Sequence, residues 1–157
     1  MLKIYFTENE NVYVKLEKYL SELLPSPARI LRNGNGKPYL EGDPLFFSIS
    51  HSANKALIAI CDKPVGADME ILADRNYKAV LSRFCADERK EIKNSHDFLK
   101  HWVVREAYIK MLGDTVWGKL KKLSFTDGTL FYCGKPVDCE FKNGRKDNVV
   151  YSICIAK

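Results

Sequence analysis

Between residues 12 and 24 the apolar positions fall three and four apart, at Val12, Leu16, Tyr19, Leu20, Leu23 and Leu24, the stripe of an amphipathic helix. Thr7 stands three residues before Glu10, the spacing of a capping box, so this helix is predicted to start at Thr7. Pro25 and Pro27 stop it. Ahead of it residues 2–6 alternate as a strand does. Residues 33–44, with Gly34, Gly36, Pro38 and Gly42, have turn chemistry throughout. A hairpin is predicted next, with strands over 45–50 and 55–61 joined around Ser52, Ala53 and Asn54. Phe47 and Ile49 are expected to face a core, with Ser48 and Ser50 on the other side. Residues 62–64 turn again, and 65–71 read as a short strand. Helices are predicted over 77–84, 86–93 and 98–112, the last closed by Gly113. From 123 onward strands return, over 123–126, over 129–132 after Asp127-Gly128, and over 149–155. This order predicts an α+β fold of two lobes, about 1–62 and 63–157, dividing near Asp62.

Composition narrows the setting. A chain of 157 residues fits one compact domain or two small lobes sharing a core. Its 46% hydrophobic and 29% charged residues are those of a folded protein. No apolar run approaches the ~20 residues of a membrane span. The apolar start is broken at once by Thr7, Glu8, Asn9 and Glu10, unlike a signal peptide. A soluble, cytoplasmic protein with no membrane partner is therefore expected. Five cysteines (Cys61, Cys85, Cys133, Cys139, Cys154) make an odd count with no CxxC pair, so neither a disulfide framework nor a structural zinc is expected. The net charge of +5 favours acidic or phosphate-bearing partners without naming one. A basic stripe interleaved with stacking aromatics is missing, and nucleic acid is not an expected partner.

Asp68 and Glu70 stand two apart in a predicted strand, so both carboxylates emerge on one face, beside Gly66. Side-by-side anions repel unless a cation or hydrogen bonds compensate; taken alone, the pair reads more simply as surface charge on an edge strand. Trp102, Glu106 and Lys110 share one helix face. They are either a core tryptophan beside a surface ion pair of about 0.3–0.5 kcal/mol, or the face that adds Glu106 to Asp68 and Glu70. Three carboxylates make a hard oxygen site suited to Mg2+, with Lys110 one turn away for a phosphate. His51 closes the Ser48-Ile49-Ser50 strand, where a lone histidine is usually structural. His96 and His101 read as structural too.

Four segments in one order resemble the 4′-phosphopantetheinyl transferase superfamily: Gly36-Lys37-Pro38, Phe47-Ser48-Ile49-Ser50-His51-Ser52, Gly66-Ala67-Asp68-Met69-Glu70, and Trp102-Val103-Val104-Arg105-Glu106-Ala107-Tyr108-Ile109-Lys110. The third alone would be weak; followed by the fourth and preceded by the second, it is highly specific. The GxDxE-like segment comes after 65 residues rather than near the start, so the order resembles the longer, surfactin-type class and not the short class that assembles as trimers. The resemblance implies a two-lobed pseudo-dimer, each lobe a small antiparallel sheet packed on a helix, with coenzyme A between the lobes.

It further implies Mg2+ ligands at Asp68, Glu70 and Glu106, and Lys110 near the pyrophosphate. Ser50 and His51 would contact coenzyme A phosphate, and Lys37 would lie near the nucleotide end. The implied reaction moves 4′-phosphopantetheine from coenzyme A to a serine of an acidic apo carrier protein and releases adenosine 3′,5′-bisphosphate. Glu106 and Lys110 would be its catalytic residues, and the chain a monomer. Three features depart from the pattern. Arg105 stands where lysine is commonest, and Gly113-Asp114-Thr115 replaces the usual Gly-Lys-Gly, with Trp117 and Lys119 beyond. The first lobe is also short, with Arg29 and Arg32 as its candidates for the nucleotide phosphate. Lys119, Lys121 and Lys122 form a basic run that is either a solvated face or a landing site for the carrier. Two other functions fit the residues: a non-catalytic carrier-binding relative and a Mg2+-dependent phosphohydrolase.

Overall fold

The computed structural model describes residues 1–34, 36–42, 44–74, 76–113 and 116–157, without the side chains of Val116 and Trp117. The first part of the chain forms β1 (Leu2–Glu8), α1 (Val12–Ser21), β2 (Ile30–Arg32), β3 (Pro38–Leu40), β4 (Phe46–Ser52) and β5 (Lys55–Cys61). The second forms β6 (Val65–Ile71), α2 (Lys78–Leu81), α3 (Ala86–Glu91), α4 (Ser95–Leu112), α5 (Val116–Lys119) and a 3-10 turn, Leu120–Lys122. It ends in β7 (Leu123–Thr126), β8 (Thr129–Tyr132), β9 (Lys135–Pro136), β10 (Cys139–Lys146) and β11 (Val149–Ala156). The fold is α+β, with antiparallel sheets in the orders β1-β5-β4 and β10-β11-β6, a β2-β3 pair and a β7-β8-β9 meander.

Alternation along β5 explains how the layers stack. Ala56, Ile58 and Ile60 pack with Leu16 and Leu20 of α1, while Leu57, Ala59 and Cys61 pack with Val65, Ala67 and Met69 of β6 and Ile153 of β11. A strand covered on both faces has no polar alternation, and the sequence Lys-Ala-Leu-Ile-Ala-Ile-Cys shows none. On the other side of β11, Cys154 packs with Val104, Ala107 and Tyr108 of α4. The order through the molecule is α1, first sheet, second sheet, α4.

Several expectations need correction. The helix predicted to start at Thr7 begins at Val12, behind Asn11 at φ 54°. Thr7 is spent on β1, paired with Ala56 in a register that runs on to Glu8↔Lys55, so strand pairing outcompetes the capping box. β3 lies inside the stretch read as turns; its proline is the first residue of the strand, where no ladder N–H is required. β10 was not predicted, because Cys-Glu-Phe-Lys-Asn-Gly-Arg-Lys is mostly exposed and polar. The helix predicted over 77–84 is a single turn. Helix α4 ends as expected at Gly113 in the left-handed region, φ 74°.

Arg105 anchors α4 away from the carboxylate cleft. Its side chain is fully buried and both terminal nitrogens donate to the Glu88 carboxylate of α3. It also donates to the Leu123 carbonyl at 3.2 Å, and its guanidinium lies 3.9 Å from the centre of the Phe84 ring. His101 Nδ1 stands 2.9 Å from Glu88 Oε1.

Candidate active site

The site begins with a missing side chain. A Cβ on Gly66 would stand 1.9 Å from the Ala107 carbonyl oxygen and 2.3 Å from the Met111 nitrogen. Only glycine lets the α4 backbone lie directly on β6 there. Two and four residues further along the same face come Asp68 and Glu70, while Glu106 and Lys110 descend from α4.

Asp68 is 5% exposed. Its Oδ1 accepts from Lys110 Nζ at 2.7 Å and from the Ser50 hydroxyl at 2.8 Å. Its Oδ2 is buried and has no hydrogen-bond partner among the described residues. Burial raises the Asp68 pKa, and the Lys110 ammonium and the Ser50 hydroxyl act against that rise. Glu70 accepts from the Ser52 hydroxyl at 2.9 Å. Glu106 is pushed up to about 7, first by burial and then by the negative charges of Asp68 and Glu70, with Lys110 opposing. The acids therefore share one electrostatic environment.

Among the described residues no three of His, Cys, Asp and Glu close into a metal-binding group. The donor chemistry nevertheless fits a hard divalent cation. Asp68 Oδ2 is a buried acceptor without a donor among the described residues, and Glu106, its pKa raised first by burial and then by the neighbouring acids, is a carboxylate whose charge a cation would offset.

The remaining predicted residues are spread more widely. Ser50 is buried, and its hydroxyl is taken up by Asp68 Oδ1 and by the Met69 N–H. Lys37 reaches across from the first lobe and donates to the Lys110 carbonyl near the end of α4; burial lowers its pKa. It borders a cavity of about 390 Å3 between the lobes, lined also by Phe46, Val65, Met111 and Gly113. His51 is exposed at the end of β4, where alternation puts it opposite Ser50 and Ser52. Arg29 pairs with Glu41 at 3.3 Å and Arg32 donates to the Tyr13 hydroxyl at 3.1 Å. Asp114 and Thr115 lie outside the described residues. Ser52 was not singled out as a site residue; its place in the strand alternation after Ser48 and Ser50 was the available signal.

No described helix is long and apolar enough to cross a membrane. A family model described as the 4′-phosphopantetheinyl transferase superfamily matches residues 64–154. The 4′-phosphopantetheinyl transferase gsp of Aneurinibacillus migulanus is 32% identical over 107 residues, covering 62% of this chain and 45% of that protein. The 4′-phosphopantetheinyl transferase psf-1 of Bacillus pumilus is 33% identical over 87 residues, or 51% and 37%. The 4′-phosphopantetheinyl transferase HetI of Nostoc sp. is 28% identical over 142 residues, or 77% and 59%. The chain thus spans less than half the length of the first two relatives. With Asp68, Glu70, Glu106 and Lys110 all inside a family match that covers more than half of its residues, the chain belongs to the 4′-phosphopantetheinyl transferase superfamily.

Proposed function

We propose that this chain transfers 4′-phosphopantetheine from coenzyme A to a serine of an apo carrier protein, with Mg2+ held by Asp68, Glu70 and Glu106. The observation that carries the reading is a buried Asp68 with an unpartnered oxygen, touched by Lys110 and sharing its field with Glu106. In the reaction the carrier serine oxygen bonds to the β-phosphorus of coenzyme A. The bond from that phosphorus to the bridging oxygen breaks, and adenosine 3′,5′-bisphosphate leaves.

Mg2+ bound there supplies positive charge against the pyrophosphate oxygens. Glu106, a carboxylate that would stand close to the incoming hydroxyl, takes the serine proton, directly or through a water. Lys110 is partly exposed and turns an ammonium toward the same cleft, where it stabilises charge on the phosphate oxygens. Lys37 and His51 contribute positive charge or hydrogen bonds to coenzyme A from the first lobe. Because Lys37, Ser50 and His51 precede Asp62 and the acids follow it, one chain carries both sets, and we read the working unit as a monomer of 18.0 kDa.

Incubation with coenzyme A, Mg2+ and a panel of apo carrier proteins tests the reading by intact mass. A carrier gaining one phosphopantetheine group supports it. Carriers bound but unmodified would replace it with the binding-protein reading, and coenzyme A hydrolysis without transfer would replace it with a phosphohydrolase.

A further inference from the structure

β4 and β6 belong to different sheets, yet their edges are joined by side chains acting in place of a backbone ladder. Ser48 Oγ accepts from the Ala67 N–H at 2.9 Å, Ser50 Oγ from the Met69 N–H at 3.1 Å, and Ser52 Oγ from the Ile71 N–H at 3.3 Å. Three alternate residues of one strand thus satisfy three alternate donors of the other. Each hydroxyl has a proton of its own to give. Ser50 gives it to Asp68 Oδ1 at 2.8 Å and Ser52 to Glu70 Oε2 at 2.9 Å. Ser48 makes the backbone contact with no carboxylate contact among the described residues.

We propose that Ser50 and Ser52 are positioning residues, through which the first lobe aims the Asp68 and Glu70 carboxylates of the second lobe at the cation. This rests on the reading of those acids as cation ligands. A serine pinned by a backbone N–H has its oxygen fixed in space, so the proton it donates fixes one carboxylate oxygen in turn. For Asp68 that leaves Oδ2 as the open acceptor. Movement of β4 relative to β6 would then change the cation site without touching a ligand. The plainer alternative is that all three serines merely tie the lobes together.

The seam contains its own control, because Ser48 has the structural contact alone. Mn2+ binding to the whole chain, followed by electron paramagnetic resonance without coenzyme A or carrier, reads ligand positioning apart from turnover. Loss of an outer-shell partner of a metal-ligating carboxylate is expected to weaken Mn2+ binding by about 10–100-fold in Ser50→Ala and Ser52→Ala. Ser52→Thr, which keeps the hydroxyl, should restore most of the affinity. Ser48→Ala should lower the melting temperature with wild-type Mn2+ affinity.

Wild-type affinity in folded Ser50→Ala and Ser52→Ala would overturn the proposal, as would equal weakening by Ser48→Ala. If Ser50→Ala does not fold, Ser52→Ala at the more open end of the seam decides. A wild-type protein that binds no Mn2+ sinks the cation reading itself, and the proposal with it. That outcome is distinct from a binding wild type whose serine variants bind equally well.

Discussion

The Gly66 α-carbon and the Ala107 carbonyl of α4 are in backbone contact, with no room for a methyl group: an added Cβ would lie 1.9 Å from that oxygen. The contact sets the height of α4 over β6, and hence whether Lys110 reaches Asp68 at 2.7 Å. Because the obstacle is helix backbone, it cannot yield as a side chain would. Gly66→Ala is expected to cost about 3 kcal/mol or more in urea unfolding. Gly118→Ala, with nothing among the described residues within 4 Å of the added carbon, serves as the near-neutral control. Equal stability of the two variants would refute the close approach.

Glu106 makes the metal-free protein pH-sensitive. Its folded pKa of about 7 lies above the ordinary 4.5, so the folded state keeps a proton that the unfolded state releases. Stability on this account is highest below about 4.5, falls as pH rises toward 7 and stays lower above it. The size is on the order of 3 kcal/mol from the shift. In EDTA, wild type should lose stability between pH 5 and pH 8, whereas Glu106→Gln should lose much less and be the more stable protein at pH 8. Parallel urea-derived stability curves for the two proteins would rule this out.

The Arg105–Glu88 pair is fully buried on both sides. Removing one partner strands the other charge, so Glu88→Gln is expected to cost about 3–5 kcal/mol. Arg105→Lys keeps the charge but loses the two-pronged bond and the Phe84 contact, and should also destabilise. Neither side chain faces the carboxylate cleft, so turnover per folded molecule should hold. A selective loss of turnover in a fully folded Arg105→Lys protein would place Arg105 in the chemistry instead.

Lys121 and Lys122 are exposed, following Leu120, which packs with Phe98 and Leu99 of α4, while Lys119 lies 5.2 Å from the Tyr132 ring centre. Charge reversal at Lys121 and Lys122 should raise KM for an acidic carrier and flatten its salt dependence, leaving KM for coenzyme A alone. Carrier kinetics unchanged at low salt would make the run an ordinary solvated face.

The covered interior was legible wherever a residue's period matched its burial. The β4–β5 hairpin, the strand bearing Asp68 and the long helix closed by Gly113 all follow from spacing and caps. So does the shared face of Gly66, Asp68 and Glu70. β10 escaped because its polar residues face solvent and its pairing with β11 comes from the backbone, which carries no side-chain signature. The start at Thr7 failed for a related reason: a local cap of about 1 kcal/mol competes with a seven-residue ladder that no local window contains.

At the site, sequence alone placed two acids on one strand face and an acid and a lysine on one helix face, because side-chain direction repeats with fixed period along each element. It did not determine what those faces meet. Tertiary structure decided that Arg105 turns to a buried Glu88, that Lys37 crosses to the end of α4, and that Ser50 and Ser52 spend their hydroxyls on Asp68 and Glu70. Each of these pairs joins residues 17 or more positions apart, and such partners are chosen by how the layers stack rather than by any local period.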